Sequence, residues 1–114
     1  MTDALSATLS ALADPTRRAL LARLADGEAS VNELAKPFDI SVQAVSRHLK
    51  VLEGAGLITR GQRAQFRPRQ LDTAPLRELD TWLSRYRTFW EVGFDKLGAY
   101  LAELTTGDAD GDKN

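Results

Sequence analysis

The sequence predicts a single domain that is mainly α with a small β-hairpin, in the order α-α-α-α-β-β-α. Three observations carry that expectation. Two helix starts, Asp14-Pro15 and Ser30-Val31-Asn32-Glu33, each open a segment bearing leucines. Residues 57–67 read as two short strands around a turn, and from residue 75 to 104 apolar residues recur at the spacing of one long helix.

In chain order, Leu5, Leu9 and Leu12 share one face of a short first helix. Asp14 can accept from the amides of a new first turn, and Pro15 fills a position whose missing N–H costs nothing, so a second helix runs to about Asp26 with Leu20, Leu21 and Leu24 inward. Gly27 closes it. Ser30 and Glu33 form a capping box for a third helix from Val31, which Pro37 must stop or distort near residues 36–38. Asp39-Ile40-Ser41 supplies a tight turn, and a fourth helix runs from Val42 to about Ala55, where Gly54 and Gly56 end it. Leu57-Ile58-Thr59-Arg60 and Gln65-Phe66-Arg67 read as strands, residues 61–64 as their turn, and Phe66 as pointing into the core. The domain is expected to occupy residues 1–104. Polar, acidic residues 105–114 read as a frayed tail.

The chemistry available narrows the function classes. With no cysteine and one histidine, thiolate nucleophiles, thiolate metal sites and histidine-built triads are disfavoured, and no Gly-rich phosphate loop is present. An enzyme is therefore the weakest reading. No apolar run is long enough to span a bilayer and the N-terminus does not resemble a signal peptide, so a cytoplasmic protein without membrane contact is expected. Net charge is only −1, but residues 41–70 carry Arg47, Lys50, Arg60, Arg63, Arg67 and Arg69 against Glu53 alone. That segment is basic within an otherwise acidic chain, and a field polarised this way orients a polyanion toward one surface.

Two short helices, a tight turn and a trailing hairpin make the winged helix-turn-helix arrangement, which lays its second helix in the major groove of DNA. At 100° per residue, Val45, Leu49 and Leu52 form one stripe of the fourth helix, and Gln43, Arg47, Lys50 and Gly54 lie opposite with Ser46 beside them. The outward set suits duplex DNA. Arginine can bond two guanine acceptors, glutamine can pair with adenine, lysine and serine can hold phosphates, and Ala44 is small enough to approach a thymine methyl. Ser41, Gln43, Ala44, Ser46, Arg47 and Lys50 are therefore the candidate contacts on the helix, with Arg60, Arg63, Gln65 and Arg67 on the hairpin. A protein-interaction module that uses the same exposed face without binding DNA is the alternative reading.

Ala13-Asp14-Pro15-Thr16-Arg17-Arg18, Val45-Ser46-Arg47-His48-Leu49-Lys50-Val51-Leu52 and Ala55-Gly56-Leu57-Ile58, in that order, resemble the ArsR/SmtB family of bacterial winged-helix repressors. The resemblance spans most of residues 12–101. It implies a dimer, an inverted-repeat operator, repression near the protein's own promoter and release by an effector. The metal sites of sensing members do not carry over: Glu33-Leu34-Ala35-Lys36-Pro37-Phe38 stands where those members hold cysteines, and residues 75–104 hold no histidine. Glu78, Asp80, Glu91, Asp95 and Glu103 read as a solvated face, and no cofactor is expected.

His48 lies about 60° from the apolar stripe, where flanking packing or a phosphate contact is a better reading than a pH switch. The last helix carries more aromatic surface than one small domain can cover. Trp82, Tyr86, Phe89, Trp90, Phe94, Leu97 and Leu101 are therefore assigned, with Leu5, Leu9 and Leu12, to an interface with a second copy. An aromatic pocket at that seam is the other possibility. It would couple a small-molecule effector to the spacing of the two recognition helices.

Overall fold

The computed structural model describes residues 3–61 and 67–106, and the side chains of these apart from 92–96, 105 and 106. Among the described residues, five helices and a two-stranded sheet follow one another as α1 (Ala4–Leu12), α2 (Pro15–Leu24), α3 (Val31–Ala35), α4 (Val42–Gly54), β1 (Ile58–Arg60), β2 (Arg69–Leu71) and α5 (Ala74–Thr106). The winged helix-turn-helix order expected from the sequence is present. The chain divides into two compact units, Met1–Leu79 and Asp80–Asn114. No helix among the described residues is long and apolar enough to cross a membrane.

Local chemistry sets the helix starts. Asp3, Asp14, Ser30 and Ser41 sit in extended backbone and accept from the amides of Ser6, Arg17, Glu33 and Ala44. Each satisfies a first-turn N–H that has no partner within its helix. At Ser30 the capping box is complete, with the Glu33 carboxylate accepting from the Ser30 amide at 2.8 Å. Helix α3 ends at Ala35, two residues before Pro37, whose ring excludes a further turn.

In the first unit the core is a cluster of Ala11, Leu20, Leu21, Leu24, Ala29, Leu34, Ala35, Val45, Leu49, Leu52, Leu57 and Ile58. Every leucine assigned inward on α2 is there. On α1 the buried residues are Thr8 and Ala11, and the Thr8 hydroxyl is spent on the Ala4 carbonyl at 3.1 Å. Leu12 packs on the edge of that core, Leu5 is half-buried and Leu9 is exposed. The leucine face of α1 is thus not its core face: small residues allow the close approach of α2 and α4.

The hairpin differs from its expected boundaries. Leu57 is buried below β1 rather than part of it, and the second strand is Arg69–Leu71, paired antiparallel as Ile58↔Leu71, Thr59↔Gln70 and Arg60↔Arg69. Arg67, expected in a strand, has φ +37 and lies in the left-handed region. Two proline rules account for the shift. Pro68 cannot donate to the ladder, yet its carbonyl accepts from the Gly61 amide, and its ring sits 3.0 Å from where a Cβ on Gly61 would stand. A side chain on residue 61 would crowd that ring. Gly56, with φ +77, similarly lets the chain turn from α4 into Leu57, whose amide donates back to Leu52. Gln65 and Phe66 lie outside the described residues.

The sheet is reinforced from the segment between α2 and α3. Ala29 and Arg69 exchange both backbone bonds, at 3.1 and 2.8 Å, and the Gln70 side chain donates from Nε2 to the Glu28 carboxylate at 2.8 Å. The approach to α3 therefore acts as a third short edge of the wing. Helix α5 reaches Thr106, two residues beyond the expected end of the domain at residue 104, and residues 107–114 lie outside the described residues.

The caps carry a prediction. Hydrogen bonds from the Ser6, Arg17 and Ser30 amides hold the carboxyls of Asp3, Asp14 and Glu33 below their ordinary values of 3.8, 3.8 and 4.5. A carboxyl whose pKa is depressed on folding binds protons more weakly in the folded state. Its contribution is present above the unfolded pKa and lost as pH falls through the folded one. Melting temperature is therefore expected to fall steadily from about pH 5 to pH 3. Asp14→Asn, which can still cap, should show a shallower fall. Thermal melts at half-unit pH steps check both, and parallel profiles for the two proteins would refute the role given to Asp14.

Candidate nucleic-acid interface

Helix α4 is placed by burial on one side. Val45, Leu49 and Leu52 are all within 1% of complete burial, so the stripe read from the sequence is the anchor. The opposite residues, Gln43, Arg47, Lys50 and Gly54, are exposed. Arg47 and Lys50 make no hydrogen bond or ion pair among the described residues, so both cations are available to an incoming anion. Ser41 is exposed, but its hydroxyl already accepts from the Ala44 amide at 3.0 Å. Its proton remains free to donate to a phosphate. Ala44 and Ser46 are half-buried, which sets Ala44 back from the outward face.

A clasp at the side of α4 fixes its direction. Arg17 donates from Nε to the Ala11 carbonyl at 2.6 Å and from Nη2 to the Ser10 carbonyl at 3.1 Å, closing the end of α1. Its Nη1 stands 3.3 Å from His48 Nδ1 on α4. A guanidinium only donates, so Nδ1 is the acceptor and the ring proton sits on Nε2. The Asp14 carboxylate is 3.9 Å from the same nitrogen. Arg17 thus joins three helices, and His48 serves as flanking packing rather than as a free outward group.

On the wing, Arg60 is held by Glu53 of α4 through Nε at 2.7 Å and Nη2 at 3.3 Å, which raises its pKa. This fork fixes the guanidinium at the foot of β1 and offsets part of its charge. Arg69 is buried, donates to the Arg67 carbonyl at 2.6 Å and leaves its Nε without a partner. Burial pushes its pKa down, and nearby Arg60 adds to the effect. It is therefore part of the fold and not of the cationic surface counted from the sequence. Arg67 is exposed, whereas Arg63 and Gln65 lie outside the described residues.

A helix-turn-helix domain model matches residues 12–61, from the end of α1 through β1. The HTH-type transcriptional regulator Rv2034 of Mycobacterium tuberculosis is 45% identical over 87 residues, covering 76% of this chain and 81% of that protein. The transcriptional repressor SdpR of Bacillus subtilis is 33% identical over 76 residues, 67% of this chain and 84% of that one. A crystal structure of an ArsR family transcriptional regulator superposes with a TM-score of 0.71 at 38% identity, covering 78% of this chain and 98% of the other. This chain belongs to the ArsR family of winged helix-turn-helix transcriptional regulators.

Two contributors to the interface of this ArsR-family regulator escaped sequence reasoning. Glu53 was visible as the lone anion of a basic segment, seven residues before Arg60, but that separation crosses a helix end and a turn. Arg17 follows its cap by three residues, and no spacing rule points a side chain at the carbonyls of the preceding helix. Among the described residues no three His, Cys, Asp or Glu side chains gather in a way that could hold a metal ion.

Proposed function

We propose that this regulator is a cytoplasmic homodimeric repressor that binds an inverted-repeat operator and is released by a signal other than a metal ion. One observation carries the DNA reading: Gln43, Arg47 and Lys50 stand exposed on the face of α4 opposite a fully buried stripe. Ser41 and Ser46 flank that set, and Arg60 and Arg67 extend it onto the wing; Arg63 and Gln65 complete the proposed contacts. Glutamine and arginine supply paired donors and acceptors for base edges, and lysine supplies charge for phosphates. The absence of cysteine removes the thiolates that a soft-metal sensor needs.

Duplexes selected from a random pool by the full chain identify the operator, and gel shifts in rising salt measure it. Binding in the nanomolar range is expected, with half-sites separated by roughly 34 Å, one helical turn. Arg47→Ala should cost on the order of 1–3 kcal/mol on the operator while leaving random DNA nearly unchanged. An equal loss on both would make Arg47 a phosphate anchor. A chain that retains no duplex at low ionic strength would overturn the reading.

A further inference from the structure

Helix α4 buries three of its apolar side chains completely, yet Val42, its first residue, remains 42% exposed. An exposed valine alone asks for no explanation; its neighbours give this one a meaning. Val42 follows the Ser41 cap, precedes Gln43, and stands one turn from Ser46 on the flank of the helix between the buried stripe and the outward face. It lies at the amino-terminal end of α4, the end that a helix of this kind brings to the base edges. In the major groove the edges are polar except for the C5 methyl of thymine. Ala44, the residue the sequence offered for that methyl, is half-buried.

We propose that Val42 packs against the C5 methyl of one thymine in each operator half-site and so specifies thymine there. The inference rests on α4 being the DNA-recognition helix. Contact with the methyl removes two apolar surfaces from water at once, whereas cytosine at that position presents no methyl and places an amino donor nearby.

The test uses the full chain and the operator it selects. Thymines are replaced by deoxyuridine in symmetric pairs, which deletes the methyl and leaves the hydrogen-bonding edge intact. One pair is expected to weaken binding about four-fold per half-site, the effect of one buried methyl-sized group. Val42→Ala should lose the same factor on the thymine operator and nothing more on the deoxyuridine one. Val51→Ala, on the same helix and 43% exposed at its far end, should keep the full methyl effect. If no pair matters, or if the methyl effect survives in Val42→Ala, the assignment of Val42 is wrong while the DNA reading stands. If the chain selects no duplex, the DNA reading fails and this inference falls with it.

Discussion

Leu49→Ala is expected to destabilise the first unit by about 2–5 kcal/mol, and Lys50→Ala, one residue later, by less than about 0.5 kcal/mol. Leu49 is 1% exposed at the centre of the stripe that anchors α4, so truncation removes apolar contacts and leaves a cavity that packed neighbours fill only in part. Domains of this kind are stable by only about 5–15 kcal/mol. The loss is then a large share of the total, equivalent to roughly 10–30 °C in melting temperature for a unit of this size. Lys50 is exposed, so its removal should spare folding and weaken DNA binding in proportion to a lost phosphate contact. Urea titrations give the first quantity and gel shifts the second. Equal stability losses for the two variants would mean that α4 is rotated from the orientation described.

The contrast between these neighbours was legible in the sequence because one helix with a buried side obeys a fixed angular rule. The same holds for the caps at Asp14, Ser30 and Ser41, whose partners lie three residues away. Local chemistry announces local structure. The wing was legible only in kind. Its second strand begins at Arg69 because Pro68 lacks a donor and packs against Gly61, a contact between residues seven apart that no alternation pattern encodes. The surface charge was overcounted for a related reason. Composition treats every arginine alike, whereas Arg69 is buried beside Ala29 and Arg60 is forked by Glu53, and both outcomes depend on which strands pair. Among the described residues, Arg47, Lys50 and Arg67 stand outward with no carboxylate forked to them, a smaller and better directed set. The leucines of α1 show the limit of periodicity: it found the apolar face, but Thr8 and Ala11 took the core because small side chains permit closer helix contact.

The second unit supports the other large effect. Along α5, Trp82, Tyr86, Phe89, Trp90, Leu97, Tyr100, Leu101 and Leu104 are between 38% and 80% exposed. At about 100° per residue they fall within a sector of roughly 120°. Their uncovered surface is on the order of 800 Å², more than a soluble monomer ordinarily shows in one patch and close to one side of a standard interface. A second copy meeting this face would cover it and hold two α4 helices on one duplex, so each half-site raises the effective concentration at the other. The double substitution Leu97→Glu, Leu101→Glu places two carboxylates on adjacent turns of that face, where pairing would bury them unpartnered. Sedimentation velocity is expected to show the wild type as a dimer and the variant as a monomer with unchanged helical circular dichroism. Operator affinity should fall by about 100-fold or more, the scale of lost bivalency, while the weak affinity for a single half-site persists. A variant that stays dimeric would remove α5 from the interface. A monomer that still binds the full operator tightly would show that one recognition helix and its wing suffice.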